Sequence, residues 1–307
     1  MVKEISRNRD TNMTHSFRSN CDPFKVHLPI EVSLSPECTE IVDRLEAHYS
    51  IKVTVPAGRF EVFFEHDQYL TIIEGQPAST SAANRSIPVF GEEFGLYPRS
   101  LVRNTRLTRV VFCGELFRSQ KPNPRARKRN ASPVEWDRRP LHFANEPAGG
   151  LPDVVNGLLY LPIDIVEEDP DHIRKAIHHE FYHCIQWQQF GVSSDPEWEA
   201  TNLSDFVYGP GGIEANYDSD SDFWGKPTEE WGHGFLNLYC MSAPEEDQAE
   251  LFAHLITEPG RVEARLEVDD ILRRKVERLK ATLRQFCRDM DDRFWQRVSE
   301  WRLPFDF

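Results

Sequence analysis

Closely spaced cysteines are missing from this sequence, whose six cysteines are scattered along the chain: Cys21, Cys38, Cys113, Cys184, Cys240 and Cys287. Without paired spacings they indicate no disulfide framework, and we expect reduced thiols, as in cytosolic proteins. No run approaches the roughly 18 apolar residues that a membrane helix needs. The first twenty residues also lack the apolar core of a secretory signal. These absences predict a cytoplasmic protein without membrane association, although they leave an unconventional export route open.

Positive charge is also in deficit. The chain has 36 Lys and Arg against 50 Asp and Glu, a formal net charge of −14. Such a balance disfavours binding to nucleic acid or to anionic membranes. One segment is strongly basic in spite of the negative net charge. The run RSQKPNPRARKRNASP (118–133) contains Lys121, Arg125, Arg127, Lys128 and Arg129. Its prolines predict a loop. We interpret it as a solvated surface loop, with contact to an acidic partner or nucleic acid as the alternative.

The composition is that of a folded protein, with 39% hydrophobic and 11% aromatic residues. Its 307 residues suit one large domain or two small ones. We predict a flexible arm over residues 1–25, an N-terminal α/β part of unknown role over residues 26–150, and a third part over residues 151–307 that carries the motifs described below. Nothing in the sequence indicates an oligomeric state.

Hydrophobic spacing predicts several regular elements. A Ser35-Pro36 cap and apolar residues at helical spacing predict a helix over residues 36–49. Residues 76–100 contain several Pro and Gly and give no clear prediction. Near the end, a helix is predicted from a capping box at Ser242 and Glu245 to about residue 257, and a second, with a long apolar stripe, from Val268. Strands are predicted in the β-branched and aromatic runs IKVTVP, RFEVFF, YLTIIEG, RLTRVVFCGELF and GLLYLPIDI (157–165).

The segment HHEFYHCIQ (178–186) contains His179, Glu180 and His183 in the order His-Glu-x-x-His. Two histidines four residues apart lie one above the other on a helix, so both imidazoles can reach one Zn²⁺. The glutamate between them can then serve as general base toward a water molecule. Flanking residues predict a helix around this motif, with Asp169 and Pro170 at its start and Gly191 at its end. The neighbouring His178 points about 100° away and is interpreted as a bystander.

A catalytic zinc needs a third protein ligand, and several acidic residues compete for that position. Glu214 lies in GGIEANYDSD, whose Gly and Asp residues make a poor helix, and Glu229 and Glu230 lie in PTEEWGHGF. Glu246 lies near the start of a predicted helix, with Glu250 one turn later on the same face. Spacing alone does not choose Glu246 over Glu214.

The run YCMSAPEEDQAELF (239–252) resembles the catalytic domain of anthrax lethal factor and related, largely uncharacterised zinc metallopeptidases. The resemblance extends to WEATNLSDFVYG (198–209) and covers roughly residues 178–295, whereas the first 150 residues resemble nothing we can name. It implies that Glu246 is the third zinc ligand and that Tyr239 steadies the oxyanion. Glu250 then becomes a group that orients a ligating histidine.

These observations predict an α+β, zincin-like fold, in which a mixed, mainly antiparallel sheet lies beside the active-site helix and a mostly helical C-terminal part follows. Zincins carry an edge strand that holds extended substrate, and residues 157–165 are our candidate, with an interior strand as the equal alternative. The predicted function is zinc-dependent hydrolysis of a peptide or protein substrate, which makes residues 151–307 the catalytic part. The alternative is a catalytically inactive binding or scaffold protein on the same fold.

Overall fold

The computed structural model describes residues 31–65, 69–122, 139–140, 142–143, 146–147, 150–164, 170–191, 195, 197–209, 211 and 233–302. Within these residues the chain is a mixture of helices and sheets, which confirms the predicted α+β class. The helices are α1 (Pro36–Tyr49), α2 (Thr80–Phe94), α3 (Arg99–Asn104), α4 (Pro170–Phe190), α5 (Pro244–Thr257), α6 (Pro259–Leu266), α7 (Asp270–Phe286) and α8 (Asp292–Arg302).

The strands are β1 (Lys52–Thr54), β2 (Phe60–Glu65), β3 (Tyr69–Gly75), β4 (Arg109–Cys113), β5 (Leu116–Pro122), β6 (Arg139–Pro140), β7 (His142–Phe143), β8 (Glu146–Pro147), β9 (Leu151–Asp153) and β10 (Leu158–Pro162). One sheet has the order β1-β4-β10-β9 and another the order β2-β3-β5-β6, while β7 pairs with β8. Strands β4 and β10 come from the predicted N-terminal and catalytic parts respectively, so one sheet joins residues 26–150 to residues 151–307.

The sheet beside helix α4 is mixed, as predicted, but it is mainly parallel rather than antiparallel. Strand β4 pairs in parallel with both β1 and β10, and only β9 runs antiparallel to its neighbour. The parallel strands read as nearly continuous apolar runs because both of their faces are covered. On one face, helices α1, α2, α4 and α5 share a core with the sheet. On the other, Tyr160 and Val111 pack against residues of the second sheet such as Phe60 and Ile73.

Helix α1 has the predicted bounds, and the side chain of Ser35 accepts a hydrogen bond from the Cys38 backbone N–H at its start. The region 76–100 contains α2 and the start of α3. The Ser79 side chain caps α2, and Pro88 is accommodated inside it. The segment RLTRVVFCGELF (106–117) contains β4 and the first two residues of β5 instead of a single strand.

Among the described residues from Ser242 to Arg302 there are four helices where the sequence predicted two. Helix α5 ends at Thr257 as predicted, but the predicted capping box is wrong: Ala243 is the N-cap, and the Ser242 hydroxyl donates to the Tyr239 carbonyl. Pro244 takes the first helical position, where its fixed φ and missing N–H are favourable. The apolar stripe ends at Phe286 with α7, since Cys287 turns to an extended conformation before α8 begins. In the part of the chain that the structure describes, no helix combines the length and apolar character needed to cross a membrane.

The Glu93 carboxylate of α2 joins three helices in the interior. It is fully buried and contacts Arg174 and His178 of α4 and Arg302 of α8. Burial opposes its ionisation, but His178 and Arg302 outweigh that cost and lower the pKa of Glu93 to about 2. His178 therefore points away from His179, as predicted, yet it is a buried member of this network, with Nδ1 2.6 Å from the Tyr97 hydroxyl.

Replacing Glu93 with Gln is expected to lower the free energy of unfolding by about 2–3 kcal/mol at pH 7. This is less than for a fully enclosed ion pair, because the Arg174 and Arg302 side chains are partly exposed. Because the pKa is lower in the folded state, the ionised Glu93 carboxylate stabilises the fold at pH values above its ordinary pKa of 4.5. That contribution disappears as pH falls toward 2. Urea unfolding should show wild type and variant converging over this interval. The matched control is Glu92→Gln at a half-exposed neighbour, where we expect a change within about 0.5 kcal/mol. Equal losses of unfolding free energy in Glu93→Gln and Glu92→Gln would contradict the stabilising role of the buried Glu93 network.

Candidate metal centre

Helix α4 brings His179 and His183 to one face, as the sequence predicts. It begins at Pro170 and ends at Phe190, and Gly191 takes a φ of +76° while its N–H bonds the Trp187 carbonyl. A glycine adopts this left-handed conformation without the steric cost that a Cβ brings. Apolar residues of the helix fill the core below the motif: Ile173, Ile177, Phe181 and Ile185.

Three side-chain atoms from two helices converge between α4 and α5. Nε2 of His179 lies 3.1 Å from Oε2 of Glu246 and 3.2 Å from Nε2 of His183. The third side of this triangle, from His183 Nε2 to Glu246 Oε2, measures 3.4 Å. His179, His183 and Glu246 therefore form a largely buried group that could hold a metal ion.

The dimensions of this triangle fit zinc. Ligand atoms about 2.0–2.1 Å from a tetrahedral zinc are about 3.3 Å from one another. All three measured separations, 3.1, 3.2 and 3.4 Å, lie close to that value. Two imidazoles and one carboxylate are also the donor set of many catalytic zinc sites, which keep the fourth position for water or substrate.

The surrounding charges favour a bound cation. Glu180, Glu246 and Glu250 are each less than a tenth exposed and surround the two histidines. Burial opposes charge on His179, but Glu246 and Glu250 outweigh it and raise the pKa of His179 to about 10. Burial likewise opposes ionisation of Glu246, and the histidines outweigh it and lower its pKa. The carboxylates around His179 therefore favour positive charge at this position.

Glu180 is not one of the three converging ligands. Burial raises the pKa of its carboxyl group. Gly150, just before β9, lies against it: a Cβ on Gly150 would come within 2.6 Å of the Glu180 Cγ and 2.8 Å of the Tyr160 carbonyl oxygen. Only glycine permits this approach. Gly150 was not predicted from the sequence, because its role depends on a contact across thirty residues.

The structure also brings Tyr239 to the site. It lies in a 3-10 turn, Tyr239–Met241, just before α5, and its ring centroid is 6.0 Å from that of His179. Its pKa is raised by burial first and then by nearby carboxylates, among them Glu246. The Tyr239 hydroxyl is therefore protonated and lies near the Glu246 carboxylate.

Glu250 lies behind His179, where the resemblance places it. Its Oε1 is 2.9 Å from Nδ1 of His179, although the angle falls short of a good hydrogen bond. Its other oxygen contacts Lys175 at 2.6 Å and the Asn237 amide. Although burial opposes its ionisation, Lys175 and His179 lower the pKa of Glu250. A charged carboxylate is thus fixed beside a candidate ligand.

Comparison with protein-family models, with curated proteins and with solved structures found no match to this chain.

Helix α5 is held in place by a buried ion pair next to Glu246. Asp247 accepts hydrogen bonds from Lys275 of α7, from the Tyr208 hydroxyl and from the Trp198 indole, at 2.7, 2.7 and 2.8 Å. The Lys275 ammonium group also donates to the Gly234 carbonyl and lies 3.7 Å from the Phe235 ring centroid. This network attaches the segment 198–209 to helix α5.

The remaining predictions on the site differ in outcome. Strand β10, the candidate edge strand, lies inside the sheet between β4 and β9, so the interior alternative holds. Among the described strands of that sheet, β9 takes the edge beside Gly150. The competing third ligands Glu214, Glu229 and Glu230 lie outside the described residues, as does the basic run after Pro122. The first residues of that run, 118–122, belong to strand β5 and not to the predicted loop.

Proposed function

We propose that this protein is a zinc-dependent metallopeptidase. The observation that carries the proposal is the triangle formed by His179, His183 and Glu246, with side lengths of 3.1–3.4 Å, beside a buried glutamate from the same His-Glu-x-x-His motif. A structural zinc site uses four protein ligands, whereas this group has three among the described residues. Three ligands beside a buried general base are typical of hydrolytic zinc centres.

Two side chains beside the metal centre, Glu180 and Tyr239, have chemical roles in this proposal. Zinc, when bound, polarises the scissile carbonyl and lowers the pKa of water toward about 7. The Glu180 carboxylate accepts the proton of the attacking water and passes it to the leaving amine. Its raised pKa brings it closer to that of the water from which it takes the proton. The Tyr239 hydroxyl donates a hydrogen bond to the oxyanion as negative charge develops on it.

Strand β9 is the element that we expect to hold the substrate. Among the described strands, β9 lies at the edge of its sheet. Gly150, the residue just before β9, contacts the Glu180 side chain. A peptide added to this edge would pair with the backbone of residues 150–153 and run past the general base. The cleaved bond would then be positioned by main-chain hydrogen bonds.

A cleavage screen tests the proposal. Zinc-loaded protein is incubated with a mixed peptide library, with and without excess chelator, and the fragments are identified by mass spectrometry. Fragments that depend on zinc support a metallopeptidase. Failure of the zinc-loaded chain to cut any peptide would contradict the proposal and favour a binding or scaffold protein.

Tyr239→Phe should lower kcat by about 10²–10³ while leaving the fold and the zinc content intact, since one oxyanion donor is lost. Because the hydroxyl acts on charge that develops after substrate binding, KM should change much less than kcat. Both are measured on a peptide from the screen. The matched control is Tyr208→Phe, which removes a partly buried hydroxyl that donates a hydrogen bond to the Asp247 carboxylate of α5. It should lose about 1 kcal/mol of stability and keep its turnover. A Tyr239→Phe variant that behaves in the same way would remove Tyr239 from the mechanism.

A further inference from the structure

We infer that Gln186 is a positioning residue for the metal centre, which holds His183 in the tautomer whose Nε2 is free to bind the metal. The inference rests on the proposed function, since it assumes that His183 is a ligand. Gln186 lies three residues after His183 on α4, is 5% exposed, and places its Oε1 3.0 Å from Nδ1 of His183. The sequence pattern gave no reason to select it.

The direction of the Gln186 side-chain amide follows from its other neighbours. Its Nε2 lies 3.2 Å from the Glu245 backbone carbonyl and 3.0 Å from Oε1 of Gln248. A backbone carbonyl can only accept a hydrogen bond, so the end of the amide that faces Glu245 must be the NH₂ group. The carbonyl end of the Gln186 amide must therefore face His183.

This orientation determines the tautomer of the histidine. An amide oxygen can only accept, so Nδ1 of a neutral His183 must carry the proton and donate it to Gln186. Nε2 then has a free lone pair, and this is the atom that lies in the triangle with His179 and Glu246. Hydrogen bonds of this kind fix both the ring orientation and the basicity of metal-binding histidines.

A short chain of polar groups holds the amide in place. Gln248 Oε1 accepts from Gln186 and also from the Tyr182 hydroxyl at 3.1 Å. The bond to the Glu245 carbonyl attaches α4 to the residue just before Glu246. Gln186 therefore contacts one candidate ligand directly and the backbone beside another.

Three variants separate orientation of the histidine from packing. Gln186→Met keeps the size and removes the acceptor, Gln186→Asn keeps an amide that is too short to reach Nδ1, and Gln186→Glu restores an acceptor but cannot donate to the Glu245 carbonyl. The control is Gln189→Met on the same helix, because the Gln189 amide bonds the Thr282 carbonyl of α7. The dissociation constant for zinc is measured by competition with a fluorescent zinc chelator, and the melting temperature is measured on the metal-free protein.

We expect Gln186→Met and Gln186→Asn to weaken zinc binding by about 10- to 100-fold. Gln186→Glu should recover most of that affinity, and Gln189→Met should bind zinc as wild type does. If the Gln186→Met variant does not fold, the zinc affinity of the Gln186→Asn variant decides the test. Wild-type affinity in a folded Asn or Met variant would overturn the inference, as would a Glu variant that binds zinc as weakly as Met. Absence of zinc binding by the wild type would instead refute the proposed function.

Discussion

Replacing Glu180 with Gln is expected to lower kcat by about 10²–10⁴ while one zinc per chain stays bound, because the general base is lost and the ligands are not. Gln is nearly isosteric and keeps the contact with Gly150, so the fold should be unchanged. Turnover is measured on a peptide from the cleavage screen, and zinc is measured in the same preparation.

His183→Ala is the comparison for that experiment. It should lose both zinc and turnover, since it removes a ligand atom of the triangle. A Glu180→Gln variant that retains full turnover would contradict the role of general base. If the Glu180→Gln variant loses zinc as His183→Ala does, then Glu180 contributes to metal binding and is not only a general base.

Lys275→Met is expected to lower the free energy of unfolding by about 3–5 kcal/mol, the largest stability change that we expect from one substitution. Lys275 and Asp247 are almost completely excluded from solvent, so the variant leaves a carboxylate buried without its cation. The loss is measured by urea unfolding of metal-free protein, so that zinc binding does not contribute.

A double variant separates the lost ion pair from lost packing. Asp247→Asn keeps an acceptor for Tyr208 and Trp198 and removes the charge. Lys275→Met with Asp247→Asn should therefore be less destabilised than Lys275→Met alone, because no unpaired charge remains. Additive losses would show that the effect comes from changed packing or from the lost hydrogen bond to the Gly234 carbonyl, and not from the unpaired charge.

The elements that the sequence predicted well are those specified by neighbouring residues. Ser35 and Pro36 fix the start of α1, and Gly191 fixes the end of α4. The same local logic places His179 and His183 on one face, because helical spacing alone decides it. The general α+β class follows from the succession of such local patterns.

Features that depend on distant contacts could not be predicted in this way. Helix α2 was missed because Pro88 and Gly91 obscure its pattern, although Ile87, Phe90 and Phe94 pack into the core. The parallel pairing of β4 with β1 and β10 joins strands that are far apart in the sequence.

Within the site, some residues could be selected from local sequence patterns, whereas others are recognised only by contacts between distant parts of the chain. The His-Glu-x-x-His motif identified three residues, but only the resemblance favoured Glu246 over Glu214. Gln186 and Gly150 carried no signal at all, because the importance of each comes from one contact: Gln186 with His183 and Gly150 with Glu180. Second contacts of metal-binding histidines in general have no fixed spacing in sequence, so a structure is needed to find them.

The zinc content of purified protein tests the central claim most directly. Wild type, Glu246→Ala and Glu214→Ala are purified without chelator, equilibrated with a small excess of zinc, desalted and subjected to elemental analysis. We expect one zinc per chain in wild type and in Glu214→Ala, and substantially less than one in Glu246→Ala, because the Glu246 carboxylate lies 3.1 and 3.4 Å from the two histidine nitrogens. Wild type without zinc, or a Glu214→Ala variant that loses it while Glu246→Ala keeps it, would contradict this account.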